Sequence, residues 1–218
     1  MTSLIVWILA FVIAITIHEA AHAYMADRLG DPTPRMMGRL SLNPVVHYDP
    51  VGTTLLLVLV VMRAVGIPVI PFGWAKPVRF DPFNLENPRR DAALISLAGP
   101  ASNLILASLF GLVLRFASLP FSPVNFLSIA LVPIIILNVV LALFNLIPVH
   151  PLDGGKILVG LLPPEQAYDV DRFLKQYGII ILFMLLFPIF GGTSPIFLVL
   201  EPALRAILGL LIPGSPVL

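Results

Sequence analysis

The sequence predicts an all-α polytopic membrane protein: about five or six transmembrane helices with a small membrane-associated β element, forming one domain over residues 1–218. Three observations carry this prediction. Hydrophobic residues make up 58% of the chain and charged residues 11%, with a mean hydropathy of +0.99, which leaves too little polar surface for a water-soluble globule. The apolar residues gather in runs of roughly 20, the length that crosses a bilayer as a helix. Between the runs, Gly, Pro, Asn-Pro and Asp-Pro break the chain into turns.

Leu4 to Ala26 would cross as a helix of about 34 Å. No Lys or Arg precedes Arg28 and there is no clear cleavage site, so this run is expected to be a retained span and not a leader. "DRLGDPTPR" then ends it. Residues 36–52 are mixed in polarity and punctuated by prolines, which suits short strands or turns better than a helix. The apolar stretch 51–72 is interrupted by Arg63 and "GIP", and 71–90 is a polar, Pro-rich loop. Spans are expected over Ala92–Leu114 and Val124–Ile147. A polar segment, 163–176, separates these from two final spans, 178–190 and 195–212, joined by "GGTS". Glu201 and Arg205 lie one turn apart in the last and pair most simply with each other.

Basic residues set the orientation. Three lie in 27–47, four in 73–91 and three in 155–175, ten of the 13 in the chain. These loops are expected to face the cytoplasm of a multi-pass plasma-membrane protein whose N-terminus is outside. The stretch 51–72 then lies between two cytoplasmic loops, so it is expected as a re-entrant hairpin or an interfacial segment turning near Arg63 to Pro68. Five spans result.

The chain has no cysteine, which excludes disulfides, thiolate metal sites and cysteine nucleophiles. Its net charge of +1 offers no footprint for nucleic acid. The chemistry concentrates in "HEAAH" at 18–22, inside the first span, where a charged group costs roughly 2.5–3.5 kcal/mol. His18 and His22, four residues apart, project from one helix face and can share an ion. Glu19 falls beside that ion, where a base acting on its water belongs. The plain alternative is a trio packing against neighbouring spans through hydrogen bonds.

A hydrolytic zinc wants three protein ligands and an open position. No Glu occurs between Glu19 and Glu86, so the third ligand is sought among His47, Asp49, His150 and Asp153. The span 124–147 runs parallel to the first and delivers "HPLDGG" to the same end. Asp153 is preferred: Gly154 and Gly155 permit close approach, and a carboxylate offsets the ion's charge. His150 would stand behind the ligands or donate to the transition state.

"HEAAH" in an apolar helix, "AGPASN" at 98–103 and "NLIPVHPLDGG" at 145–155 together resemble the site-2 protease family of intramembrane zinc metalloproteases. The likeness covers essentially the whole chain, in the compact form without PDZ-like or CBS-like domains. It implies one zinc ion on His18, His22 and Asp153, with Glu19 as catalytic base and Asn145 as a donor near the substrate or oxyanion. Asn103 would join His150 as a supporting residue. "PFGWAKPV" at 71–78 resembles the family's membrane-associated strand, so Gly73, Trp74 and Ala75, with 36–43, are expected to pair with unwound substrate. The expected partners are the lipid bilayer and a transmembrane protein or peptide substrate, with no nucleic acid; a homo-oligomer is left open.

The expected activity is hydrolysis of peptide bonds in or near transmembrane helices. Two other classes compete: a metal-ion transporter, which would need further acidic residues along a path, and a catalytically idle membrane binding protein of the same fold.

Overall fold

The computed structural model describes residues 4–64, 66, 73–119, 124–187 and 194–212. The first apolar run forms α1 (Leu4–Arg28). It is followed by two single-turn helices, α2 (Thr33–Met36) and α3 (Pro44–His47), and by α4 (Gly52–Ala64). After an extended stretch come α5 (Pro88–Ala117), α6 (Ser128–Asn145), α7 (Asp153–Leu161), α8 (Pro164–Leu186) and α9 (Pro195–Leu211). Among the described residues, three helical stretches are long and apolar enough to cross a membrane: Leu4–Arg28, Pro88–Ala117 and Asn125–Asn145, the last including the turn that leads into α6.

α5 is the hub, packed against α1, α6, α7 and α9. Its buried positions 93, 96, 100, 103, 107, 111 and 114 recur every three or four residues and are mostly small. Such a stripe lets neighbouring backbones approach closely, which is how helices associate where no hydrophobic force separates side chain from lipid. Against it, Leu131, Ile135 and Val139 of α6 and Leu204 and Leu208 of α9 form the main apolar cluster. A smaller cluster of Ile147, Val149, Leu152 and Ile196 seats the turn after α6 against α8 and α9. The opposite faces stay apolar and exposed, as at Leu109, Phe116, Ile129 and Phe183. A surface of that kind suits hydrocarbon.

Several expectations change. No strand forms among the described residues: 33–47 contains two short helices instead, each begun by a proline at its first or second position, Pro34 and Pro44. Residues 73–80 run without regular structure. The stretch 51–72 begins as α4, whose 13 residues rise only about 20 Å, short of a bilayer core. Its expected turn near Arg63 to Pro68 lies largely outside the described residues. The polar segment 163–176 is no loop; it is the first half of α8, a helix begun by Pro164 and continuous with the apolar 178–186. Neither α8 nor the 17-residue α9 joins the three helices that meet the length and hydropathy of a span. In α9, Glu201 and Arg205 do pair as expected.

Candidate active site

α1 buries His18, Glu19 and His22 together, and α7 brings Asp153 to them. Asp153 Oδ2 lies 3.2 Å from His18 Nε2 and 3.2 Å from His22 Nε2. The two Nε2 atoms are 3.1 Å apart. Among the described residues these three side chains form the one cluster with metal-ligating geometry.

The outer nitrogens settle the tautomers. Asn138 Nδ2 donates to the Ile134 carbonyl at 2.8 Å, leaving Asn138 Oδ1 to accept from Asn103 Nδ2 at 2.7 Å. Asn103 Nδ2 also donates to the Ala14 carbonyl at 2.9 Å, so Asn103 Oδ1 is the acceptor facing His18 Nδ1, 2.7 Å away. His22 Nδ1 donates to the Ile95 carbonyl at 2.7 Å. Both rings therefore carry their proton on Nδ1 and turn an Nε2 lone pair inward. Three acceptors facing one another repel unless a cation joins them. Tetrahedral zinc with bonds near 2.0–2.1 Å would hold such atoms roughly 3.3–3.4 Å apart, close to the spacing found. The residues fit the ion.

Two local features bring the helices this close. A Cβ on Gly99 would come within 2.4 Å of His22 Nε2 and 2.7 Å of His18 Cε1, so only glycine lets α5 pass beneath both rings. A Cβ on Gly154 would meet the Ile147 carbonyl at 2.2 Å. The chain after α6 thus folds tightly onto the start of α7, where Asp153 occupies the first turn and its carboxylate gains from the helix dipole.

Glu19, the next residue after His18, is buried without joining the three. Its Oε2 accepts the Val78 N–H at 3.1 Å. The stretch around Val78 is also held by other groups: Thr53 Oγ1 donates to the Trp74 carbonyl at 3.1 Å, and the Lys76 N–H donates to the His47 carbonyl at 2.9 Å. Gly73 packs against α4, and Trp74 is half exposed.

The remaining candidates have other contacts. Asn145 donates to Leu141 O of its own helix at 3.0 Å. His150 Nε2 lies 3.3 Å from Asp171 Oδ1 on α8. Asp49 accepts the N–H groups of Val51 and Gly52 at 3.0 and 2.7 Å, capping α4. His47 is buried with Nε2 donating to the Ser41 carbonyl at 2.9 Å. Asn138 and the Ile95 carbonyl, which complete the support of the histidines, are not legible as site residues in the sequence. A lone Asn in an apolar span is a signal, but its partner is not, and a carbonyl leaves no signal at all.

The signature of Peptidase family M50 matches residues 122–188, which take in α6, α7 and α8. "Putative zinc metalloprotease YwhC" of Bacillus subtilis is 40% identical over 189 residues, covering 83% of this chain and 78% of that protein. "Putative zinc metalloprotease Rip2" of Mycolicibacterium smegmatis is 33% identical over 184 residues, covering 82% of this chain and 65% of its own length. Its namesake from Mycobacterium tuberculosis strain H37Rv is 28% identical over 179 residues, with coverage of 82% and 65%. No solved structure matches the chain significantly.

Proposed function

Because this chain belongs to peptidase family M50 and is a zinc metalloprotease, we propose that it is an intramembrane endopeptidase with its ion on His18, His22 and Asp153 and its base at Glu19. The observation that carries this is the position of the inward-facing acceptors on α1. His18 and His22 lie about 9–15 Å before the C-terminal end of a helix with the length and hydropathy of a span. Bonds in or near transmembrane helices lie at that depth, whereas a soluble substrate would have to leave water to reach it.

Zinc bound here would supply Lewis acidity to a water and to the scissile carbonyl. Glu19 takes the proton of the attacking water and returns it to the leaving amine. Asn103 and the Ile95 carbonyl hold both imidazoles in the tautomer that keeps Nε2 free. Asn145, at the end of α6, and His150, in the turn before α7, would donate to the oxyanion once substrate draws them from their present partners.

A helical substrate must unwind before its carbonyls can react, and an extended edge would replace its lost hydrogen bonds. Residues 73–79 suit that role. The Trp74 carbonyl, the Lys76 N–H and the Val78 N–H are bonded toward the protein, so pairing with substrate as a strand would turn the groups of Ala75, Pro77 and Arg79 outward. Among the described residues the Ala75 and Arg79 N–H groups carry no hydrogen bond. The β element expected of this chain would then form on substrate binding.

The basic residues favour five spans, with α8 and α9 supplying the last two, in a plasma membrane with the site toward the cytoplasm. The metalloprotease assignment sets aside the transporter alternative. The test is cleavage of single-span peptides in detergent by wild type and Glu19→Gln, with zinc measured in both. Cleavage by wild type alone, with zinc in both, is the expected result. Cleavage retained by Glu19→Gln would sink the role of the base, and well-folded protein without zinc would sink the site.

A further inference from the structure

Besides Glu19 and Asp91, two charged side chains are buried with no ion-pair partner among the described residues. Arg39 is 3% exposed and Asp31 fully buried. An unpaired charge away from water is costly and persists only where hydrogen bonds replace its hydration. Both side chains direct such bonds to one short stretch of backbone.

Arg39 Nη1 donates to the Lys76 carbonyl at 3.3 Å and to the Val46 carbonyl. The Lys76 N–H is held by the His47 carbonyl at 2.9 Å. At the other end, Asp31 Oδ2 accepts the Asp81 N–H at 2.7 Å, while Oδ1 accepts from Asn84 Nδ2 at 2.8 Å and from the hydroxyl and N–H of Thr33 at 2.6 and 3.1 Å. Residues 76–81 are therefore pinned at both ends. Between the pins, Val78 donates its N–H to Glu19 Oε2. A one-residue slip would turn the bonded groups of 76 and 78 outward and break both connections.

We propose that Arg39 and Asp31 are positioning residues for hydrolysis: by anchoring 76–81 on either side of Val78, they hold the Glu19 carboxylate in its working place and fix the register of the edge offered to substrate. This rests on the intramembrane protease reading with Glu19 as base. Neither residue touches the reacting atoms. Both act through the strap between them.

The experiment compares wild type, Arg39→Met, Arg39→Lys, Asp31→Asn, Val78→Pro and the Arg39→Met/Val78→Pro double variant as zinc-loaded protein in detergent. Hydrogen–deuterium exchange is followed over peptides covering 73–84, α1 and α5, alongside zinc content and the separate values of kcat and KM. Arg39→Met should speed exchange in 73–84 at least about tenfold, leave α1, α5 and zinc unchanged, and lower kcat about a hundredfold. Arg39→Lys should restore part of the rate. Val78→Pro, which removes the N–H on Glu19, should lower kcat similarly, and the double variant should be no worse than the weaker single.

Loosening that spreads to α1 or α5, or that releases zinc, would overturn the proposal in favour of general structural support. So would a loosened strap with normal kcat, or effects that multiply in the double variant. If Arg39→Met does not fold, Arg39→Lys and Asp31→Asn bear the test with the same readouts. A wild type that cleaves nothing defeats the protease reading itself, whereas cleavage through Glu19 with a normal rate in the Arg39 and Asp31 variants defeats only this inference.

Discussion

Asn103 accepts from His18 with one end of its amide and donates to Ala14 and Asn138 with the other, so the orientation of one imidazole is fixed by helices α1, α5 and α6 together. Groups that orient a metal-binding histidine typically contribute 10–100-fold to affinity. Asn103→Ala should therefore weaken zinc binding by about that factor, read by competition with a chromophoric chelator, while far-UV circular dichroism stays unchanged. Gly99→Ala should do at least as much harm, because the added methyl meets His22 Nε2, the nitrogen proposed to bind the ion. At this scale the sequence was informative where chemistry fixes residue type and spacing. It singled out His18, His22 and Asp153 for that reason, and the structure gathers these three side chains. Asn103 entered only as a supporting residue, and Asn138 not at all, because a hydrogen bond between distant helices has no local signature.

The helices divide in the same way. α1, α5 and α6 were legible as apolar runs bounded by breakers, to within a few residues at each end. The first half of α8 was not, because hydropathy separates membrane from water and does not separate a polar helix from a polar loop. What stabilises that half is an i, i+4 pair of Asp171 with Lys175, joined by His150 from the turn before α7. Burial raises the pKa of Asp171, and the hydrogen bonds and charges of Lys175 and His150 lower it by more, so the carboxyl titrates below its ordinary value. A depressed folded pKa means that the contribution to stability is complete above the unfolded value of about 3.9 and is lost as pH falls through the folded one. Thermal unfolding in detergent between pH 6 and pH 2 should show wild type losing this increment on acidification. Asp171→Asn should start lower and change less over the same range, and added salt should narrow the gap, since Lys175 is exposed.

For the molecule as a whole, orientation is the property that sequence supports and packing does not test, since the bundle would fold the same way in either direction across a bilayer. The absence of cysteine makes the test direct. Phe83→Cys and Leu161→Cys, both at highly exposed positions, should react with an impermeant maleimide only from the cytoplasmic side. Ser118→Cys, just past the end of α5, should react only from the outside. Labelling from the opposite sides would invert the proposed topology.

The proposed ligand set also has an order in time. Two ligands are made in the first helix, but the third sits in α7, after α5 and α6 have been synthesised. At translation rates of 5–20 residues per second, roughly 7–26 s separate His22 from Asp153. Throughout that interval the nascent chain shares the insertion machinery with other unfolded helices, the very class of segment it is proposed to cut. An enzyme assembled from both halves of its chain is harmless to its neighbours until α7 has followed its third span.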